Sequence, residues 1–320
     1  MSRLGGLVNR LLAWSERYRH LLQNRWLRLS LQILILVFCV VYLVRSLQGI
    51  GNLELLLQGN PWLALAALAG TIGSIFLGAL NYWLVLRALG QKVPWRSAFR
   101  IHLQSNLVKY IPGYFWQLLG KAYQTRQAGS SLRNAGLALV VEMGIIFATG
   151  LAMMLLLVPA NMAQAFGLGN SMPYLAIAAV VLLVAIPFFT QWLIRRLRSA
   201  GQSGADLRFL IASTLLILLN WVLIGWYFWL LGNTIMPVGI DKLNNFIFIL
   251  TTSFLIGFLI VVVPGSIGVR EAIIVFLLGP ILGNLLAAVI ALLDRAVLIV
   301  SEVLSYLIFR VYERTRRGGG

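Results

Sequence analysis

Long apolar runs alternate along this chain with short basic stretches. Runs of spanning length occupy residues 29–48, 61–86, 134–158, 174–194, 207–231 and 284–309. An α-helix needs about 20 apolar residues to cross a hydrocarbon core of roughly 30 Å, so the pattern predicts about six full spans. Ahead of the first, Leu4, Leu7, Val8, Leu11, Trp14, Tyr18, Leu21 and Leu22 recur at near-helical spacing, with Arg3, Arg10, Arg17 and Arg25 between them. Residues 1–28 therefore read as a basic amphipathic leader lying on the membrane surface. No small-residue cleavage site follows the first run, so it is not read as a cleaved signal. A basic tail occupies 313–320, and the membrane domain is placed at 29–312.

Two other apolar stretches are broken, at Ile111-Pro112-Gly113 and at Val263-Pro264-Gly265. Proline removes a backbone donor and glycine relaxes φ, so a helix stops or bends sharply at each pair. At membrane depth such a break is tolerated only where protein buries it or a watery cavity solvates it. Basic residues cluster in the leader, in 87–133, around Arg195–Arg208 and in the tail, and the positive-inside rule then places both termini in the cytoplasm. The stretch 87–133 must dip into the membrane from the cytoplasm and return. The stretch 246–280 begins and ends outside. Its second limb, 266–279, would be about 21 Å long as a helix, so it reads as an outer re-entrant hairpin, with two thin spans as the alternative. Each half then runs span, span, hairpin, span in opposite orientation, over about 29–158 and about 174–312. Glu142 and Asp294 stand equally far beyond Pro112 and Pro264. The expected fold is an all-α polytopic membrane protein with two re-entrant hairpins in an inverted repeat, a plan that sets a transport site between the breaks.

Composition agrees: 60% of residues are hydrophobic and 11% charged, which belongs to an integral membrane protein. The net charge of +17 is explained by topology and anionic lipid headgroups, so no nucleic-acid partner is expected. Cys39, His20 and His102 offer no metal-ligand spacing, and no metal or cofactor is expected. Neither a Ser/His/Asp set nor a P-loop can be assembled, so the chain is not read as an enzyme. An ionised side chain at a helix centre costs about 2.5–3.5 kcal/mol on insertion. Glu142, Glu271, Asp294, Arg295 and Glu302 therefore need a reason, and charge compensation or proton coupling supplies one. Gly265, Ser266, Gly268 and Arg270 form a glycine-relaxed helix start able to meet a phosphate. The structural alternative is that these charges only neutralise one another in a packed core. Around the first break, Asn106, Lys109 and Lys121 are the candidate phosphate contacts, while Tyr110, Tyr114 and Trp116 suit interfacial anchoring. Ser130 and Ser131 suit a helix N-cap. Ala66, Ala69, Gly70, Gly73 and Gly78 suit close helix packing.

Asn106-Leu-Val-Lys109-Tyr110-Ile-Pro112-Gly113, then Trp116, Gly120-Lys121, Gly129 and Glu142, resemble the first signature of the lysylphosphatidylglycerol synthase transmembrane region family. Pro264-Gly265-Ser-Ile-Gly268-Val-Arg270-Glu271-Ala272 resembles its second. The resemblance implies a flippase-like membrane domain without the soluble aminoacyltransferase domain of bifunctional members. The expectation is thus a multi-pass cell (inner) membrane protein that moves an anionic-headgroup phospholipid or polyprenyl-linked lipid between leaflets. Two rivals stand beside it: a membrane-embedded enzyme acting on lipid headgroups, and a non-transporting partner of a lipid- or glycan-biosynthesis enzyme. The expected partners are membrane lipids and, under the second rival, that enzyme.

Overall fold

The computed structural model describes residues 59–109, 114–165, 167, 169–197, 205–259 and 268–317. All of these fall in the unit Gly49–Gly320. The leader 1–28, the expected first span 29–48, Tyr110, Pro112, Gly113, Pro264, Gly265 and Ser266 lie outside the described residues.

Every described element is a helix. Asn60 opens α1 (Pro61–Ala88): its side chain accepts from the Trp62 N–H, and proline fills the first turn, where a missing donor costs nothing. Then come α2 (Trp95–Val108) and α3 (Tyr114–Gln127), each 14 residues, or about 21 Å, too short to cross the hydrocarbon core. Ser131 caps α4 (Leu132–Leu156) through the Asn134 N–H at 3.2 Å, as its place in the sequence predicts. The short α5 (Ala160–Ala165) and a 3-10 turn, Gly169–Ser171, lead into α6 (Met172–Leu197). Asp206 caps α7 (Leu207–Ile235). A second 3-10 turn, Ile240–Lys242, precedes α8 (Leu243–Leu259), and α9 (Val269–Leu282) and α10 (Asn284–Arg317) complete the chain.

Among the described residues five stretches are long and apolar enough to span: Pro61–Ala88, Leu132–Leu156, Gly169–Leu197, Leu207–Ile235 and Ile240–Leu259. Four of them coincide with expected spans. The fifth covers the 3-10 turn and the first limb of the expected outer hairpin, so that stretch has the length and composition of a thin span, the alternative given above. The expected last span, 284–309, lies within α10, a helix of 34 residues; between Asn284 and Ser301 its apolar run carries only Asp294 and Arg295 as charges. The chain is thus an all-α polytopic membrane protein.

Contacts between loops sort the helix ends into two groups. At one end the Asp206 N–H donates to the Ala88 carbonyl, and Arg133 donates to the Leu197 carbonyl. Ser130 donates to Gln91 across the base of α2 and α3. The Arg100 guanidinium grips Glu313 beside an aromatic cluster in which Phe99 stacks on Phe309 while Trp95 meets Phe99 edge-on and Tyr312 packs tilted against Phe309. At the other end the Asn60 N–H donates to the Thr234 carbonyl, and Pro159, Lys242, Asn245 and Pro280 border one opening of about 450 Å³. Helices α2 and α3 therefore leave from and return to the first end, and α8 and α9 the second.

Close helix packing rests on the small residues. A Cβ added at Gly70 would lie 3.1 Å from Tyr227 Cβ, so α1 and α7 touch there; Gly73 also faces α7, while Gly78 faces His102 of α2. Farther along the same helix pair, Ser213 donates to the buried Asn81 at 2.6 Å. On α6, Val180, Val181, Val184, Phe188 and Phe189 are exposed, an apolar face suited to lipid.

Candidate functional site

The end of α2 and the start of α9 nearest the two breaks meet the middle of α10, and α3 meets the middle of α4. Asp294 lies about 15 Å along α10 from Asn284, and Glu302 about 22 Å from Arg317, so both sit well inside the helix. Four ion pairs form there.

Lys121 of α3 donates to both oxygens of Glu142 on α4, at 2.7 and 2.8 Å. Its third bond reaches Nδ1 of His102 on α2 at 3.2 Å, and the ammonium sits 3.8 Å from the centre of the Tyr82 ring. Tyr82 is itself tied to Thr125 at 2.6 Å. Lys121 and Glu142 are almost wholly buried. A charge pair this deep survives only when nearly every donor and acceptor is used, and here the ammonium uses all three hydrogens. On the other side, Arg270 donates to Asp294 at 2.8 Å, and Arg295 pairs with Glu271 at 3.5 Å. Lys109, at the C-cap of α2, donates to Glu302. Breaking one partner of such a pair leaves a bare charge and costs about 3–5 kcal/mol.

A cavity of about 250 Å³ lies between these pairs. Asn106, Lys109, Gln117, Lys121 and Glu142 line it from α2, α3 and α4, and Arg270, Arg295 and Glu302 from α9 and α10. Ile146, Leu250, Phe254 and Phe258 give the same space an apolar side. A site with charge on one wall and hydrocarbon on the other matches an amphiphile. Several buried polar atoms around it have no hydrogen-bond partner, among them Arg270 Nε, Asn220 Oδ1 and Glu302 Oε2. Such atoms are costly unless a ligand or water meets them.

Most of the candidate residues named from sequence thus come together. Asn106, Lys109, Lys121, Glu142, Arg270, Arg295 and Glu302 border the cavity. Asp294 and Glu271 sit behind it, holding Arg270 and Arg295. Gly268, with φ 87°, opens α9 in a conformation that favours glycine. Its N–H, expected to be free for an anion, donates to Glu271 Oε2 at 2.7 Å. That helix start therefore carries its own carboxylate. Gly265 and Ser266 lie outside the described residues.

His102, Asn220 and Tyr227 also line the cavity, and sequence reasoning missed them. A signal existed for His102: with Asn106 and Lys109 it stands at i, i+4, i+7, one face of α2. Gly78 belongs to the same arrangement, since a Cβ there would lie 3.0 Å from His102 Nε2. Asn220 and Tyr227 share a face of α7 with Trp221 and Ile224, but nothing in an apolar run marks which face turns inward.

The sequence profile of a family described as the lysylphosphatidylglycerol synthase TM region matches residues 29–304. No curated protein matched the chain.

Proposed function

Because this chain belongs to the lysylphosphatidylglycerol synthase transmembrane-region family, we propose that it is a lipid translocase: it carries an anionic-headgroup phospholipid or polyprenyl-linked lipid between leaflets without altering it. The observation that carries this reading is the cavity, where Lys109 and Lys121 of the first broken hairpin and Arg270 of the second line one space with an apolar side. The phosphate would lie among these cations and the acyl or prenyl chain along Phe254 and Phe258. On this reading α2–α3 and α8–α9 are re-entrant hairpins of an inverted repeat, entering from the cytoplasmic and outer faces of the cell membrane. Each pair has both feet at one end, and α2, α3 and α9, at 14 residues each, are too short to cross, which supports it. On this reading the chain is a carrier and not an enzyme.

Reconstituted protein should move a labelled phosphatidylglycerol across a liposome bilayer, and mass spectrometry should recover the lipid unchanged. Arg270→Gln should slow movement at least tenfold, because an amide cannot replace a permanent guanidinium charge. Arg314→Gln, on an exposed part of α10, should change it less than twofold. A chemically altered lipid would point to the enzyme instead. If a broad panel of anionic and polyprenyl lipids stays in place in well-folded preparations, the non-transporting partner becomes the better reading.

A further inference from the structure

The cations lining the cavity all face carboxylates: Lys121 faces Glu142, Lys109 Glu302, Arg270 Asp294, and Arg295 Glu271. A bound phosphate must therefore displace a carboxylate, and which pair yields decides how the charge is balanced. Lys121 is the poorest candidate, since all three of its hydrogens are bonded and its side chain is 4% exposed. Lys109 is the best. Its side chain is 20% exposed, against 9% for Arg270 and 14% for Arg295, and it stands at the end of α2 beside the break. Its partner Glu302 is only 2% exposed, and Oε2 of that carboxylate is buried without a hydrogen-bond partner.

We infer that Lys109 is the exchanging cation, which turns from Glu302 to the lipid phosphate, and that Glu302 then takes up a proton. This rests on the lipid reading given above. Before exchange, Lys109 and Glu302 cancel. After it, Lys109 cancels the phosphodiester, and Glu302 would be a bare carboxylate in a buried site. Burying an uncompensated charge costs far more than accepting a proton from water, so the carboxylate becomes neutral. One anionic headgroup therefore enters with one proton.

The other charged groups around Glu302 do not take over this role. Arg295, two turns away on its own helix, is held by Glu271, and Arg270 of α9 by Asp294. Across the cavity, Glu142 is already held twice by Lys121, and His102 Nδ1 lies 3.2 Å from the Lys121 ammonium and 3.6 Å from Glu142, so a proton added to that imidazole would stand beside a second cation.

The test is calorimetric titration of the purified full chain with short-chain phosphatidylglycerol at pH 7, in two buffers of different protonation enthalpy. The difference in heat gives protons taken up per lipid. Wild type should take up about one, and Glu302→Gln should bind the lipid while taking up none. Lys109→Gln should weaken binding at least tenfold. Glycerophosphoglycerol, the same headgroup without chains, should bind at least tenfold more weakly than the lipid. Equal affinity would assign the site to soluble phosphate esters. Binding by wild type without proton uptake, or undiminished uptake in Glu302→Gln, would overturn the exchange while leaving the lipid reading intact. No binding of any lipid would overturn both.

Discussion

Lys121 and Glu142 show how a buried charge is kept from destabilising a helix bundle. Each of the three ammonium hydrogens has an acceptor, and the aromatic face of Tyr82 covers the rest. Removing one member should cost more than removing both. Glu142→Gln strands an ammonium and should destabilise the purified protein by about 3–5 kcal/mol, read as a clear fall in melting temperature. Lys121→Met with Glu142→Leu removes both charges at similar volume and should recover most of that loss, though not transport. A double variant no more stable than the single would mean that the pair is not held as described. At this scale the sequence was informative wherever a charge stood inside an apolar run, because insertion there is expensive. It marked the face of α2 that carries His102 but was silent on that residue's partners, Lys121 and Glu142, and on which carboxylate each cation would meet. Pairing depends on how α2, α3, α4, α9 and α10 are set against one another, and no local pattern encodes that.

Helices follow from local signals: apolar runs long enough for α1, α4, α6 and α7, with a cap at Ser131 that the sequence marks and further caps at Asn60 and Asp206 that the structure adds. Their packing partners are less local. Gly225 of α7 lies against α8 so closely that an added Cβ would stand 2.5 Å from Ile247 Cα, a backbone atom that cannot step aside. Gly225→Leu should force α7 and α8 apart, lowering the melting temperature and transport together, whereas Gly136→Leu, where a Cβ meets nothing within 4 Å, should leave both nearly unchanged. Equal tolerance at the two positions would show that α7 and α8 do not pack backbone to backbone. The readings that shifted belong here too. The stretch from Ile240 through α8 is apolar and long enough to cross, where the expected fold had only the first limb of a hairpin, and on α10 the face bearing Arg295 and Glu302 lines the cavity. An apolar average over a window cannot separate a lipid-facing stripe from a charged one.

Across the whole molecule, basic residues from separate stretches gather at one end. Arg87, Arg100, Arg133, Arg196, Arg208 and Arg314 belong to segments joined there by the contacts of Ala88, Leu197 and Glu313. Lys242 sits at the other end. On the proposed reading this basic end faces the cytoplasm, as the positive-inside rule expects. In a Cys39→Ser background, an impermeant thiol reagent applied to intact cells should label Asn170→Cys and spare Gln127→Cys. The opposite result would invert the orientation and exchange the faces from which the hairpins enter. That basic end was legible in the sequence, because the charges already alternated with the apolar runs. The cavity was not, because it exists only once α2, α3, α8 and α9 pack against α4, α7 and α10. Its occupancy is the central claim, and crosslinking tests it most directly. A phosphatidylglycerol with a diazirine on its headgroup, photolysed with the reconstituted protein and mapped by mass spectrometry, should leave adducts on Asn106, Asn220 or Tyr227. Adducts confined to the outward face of α6, at Val181 or Phe188, would place the lipid outside the bundle and contradict the account.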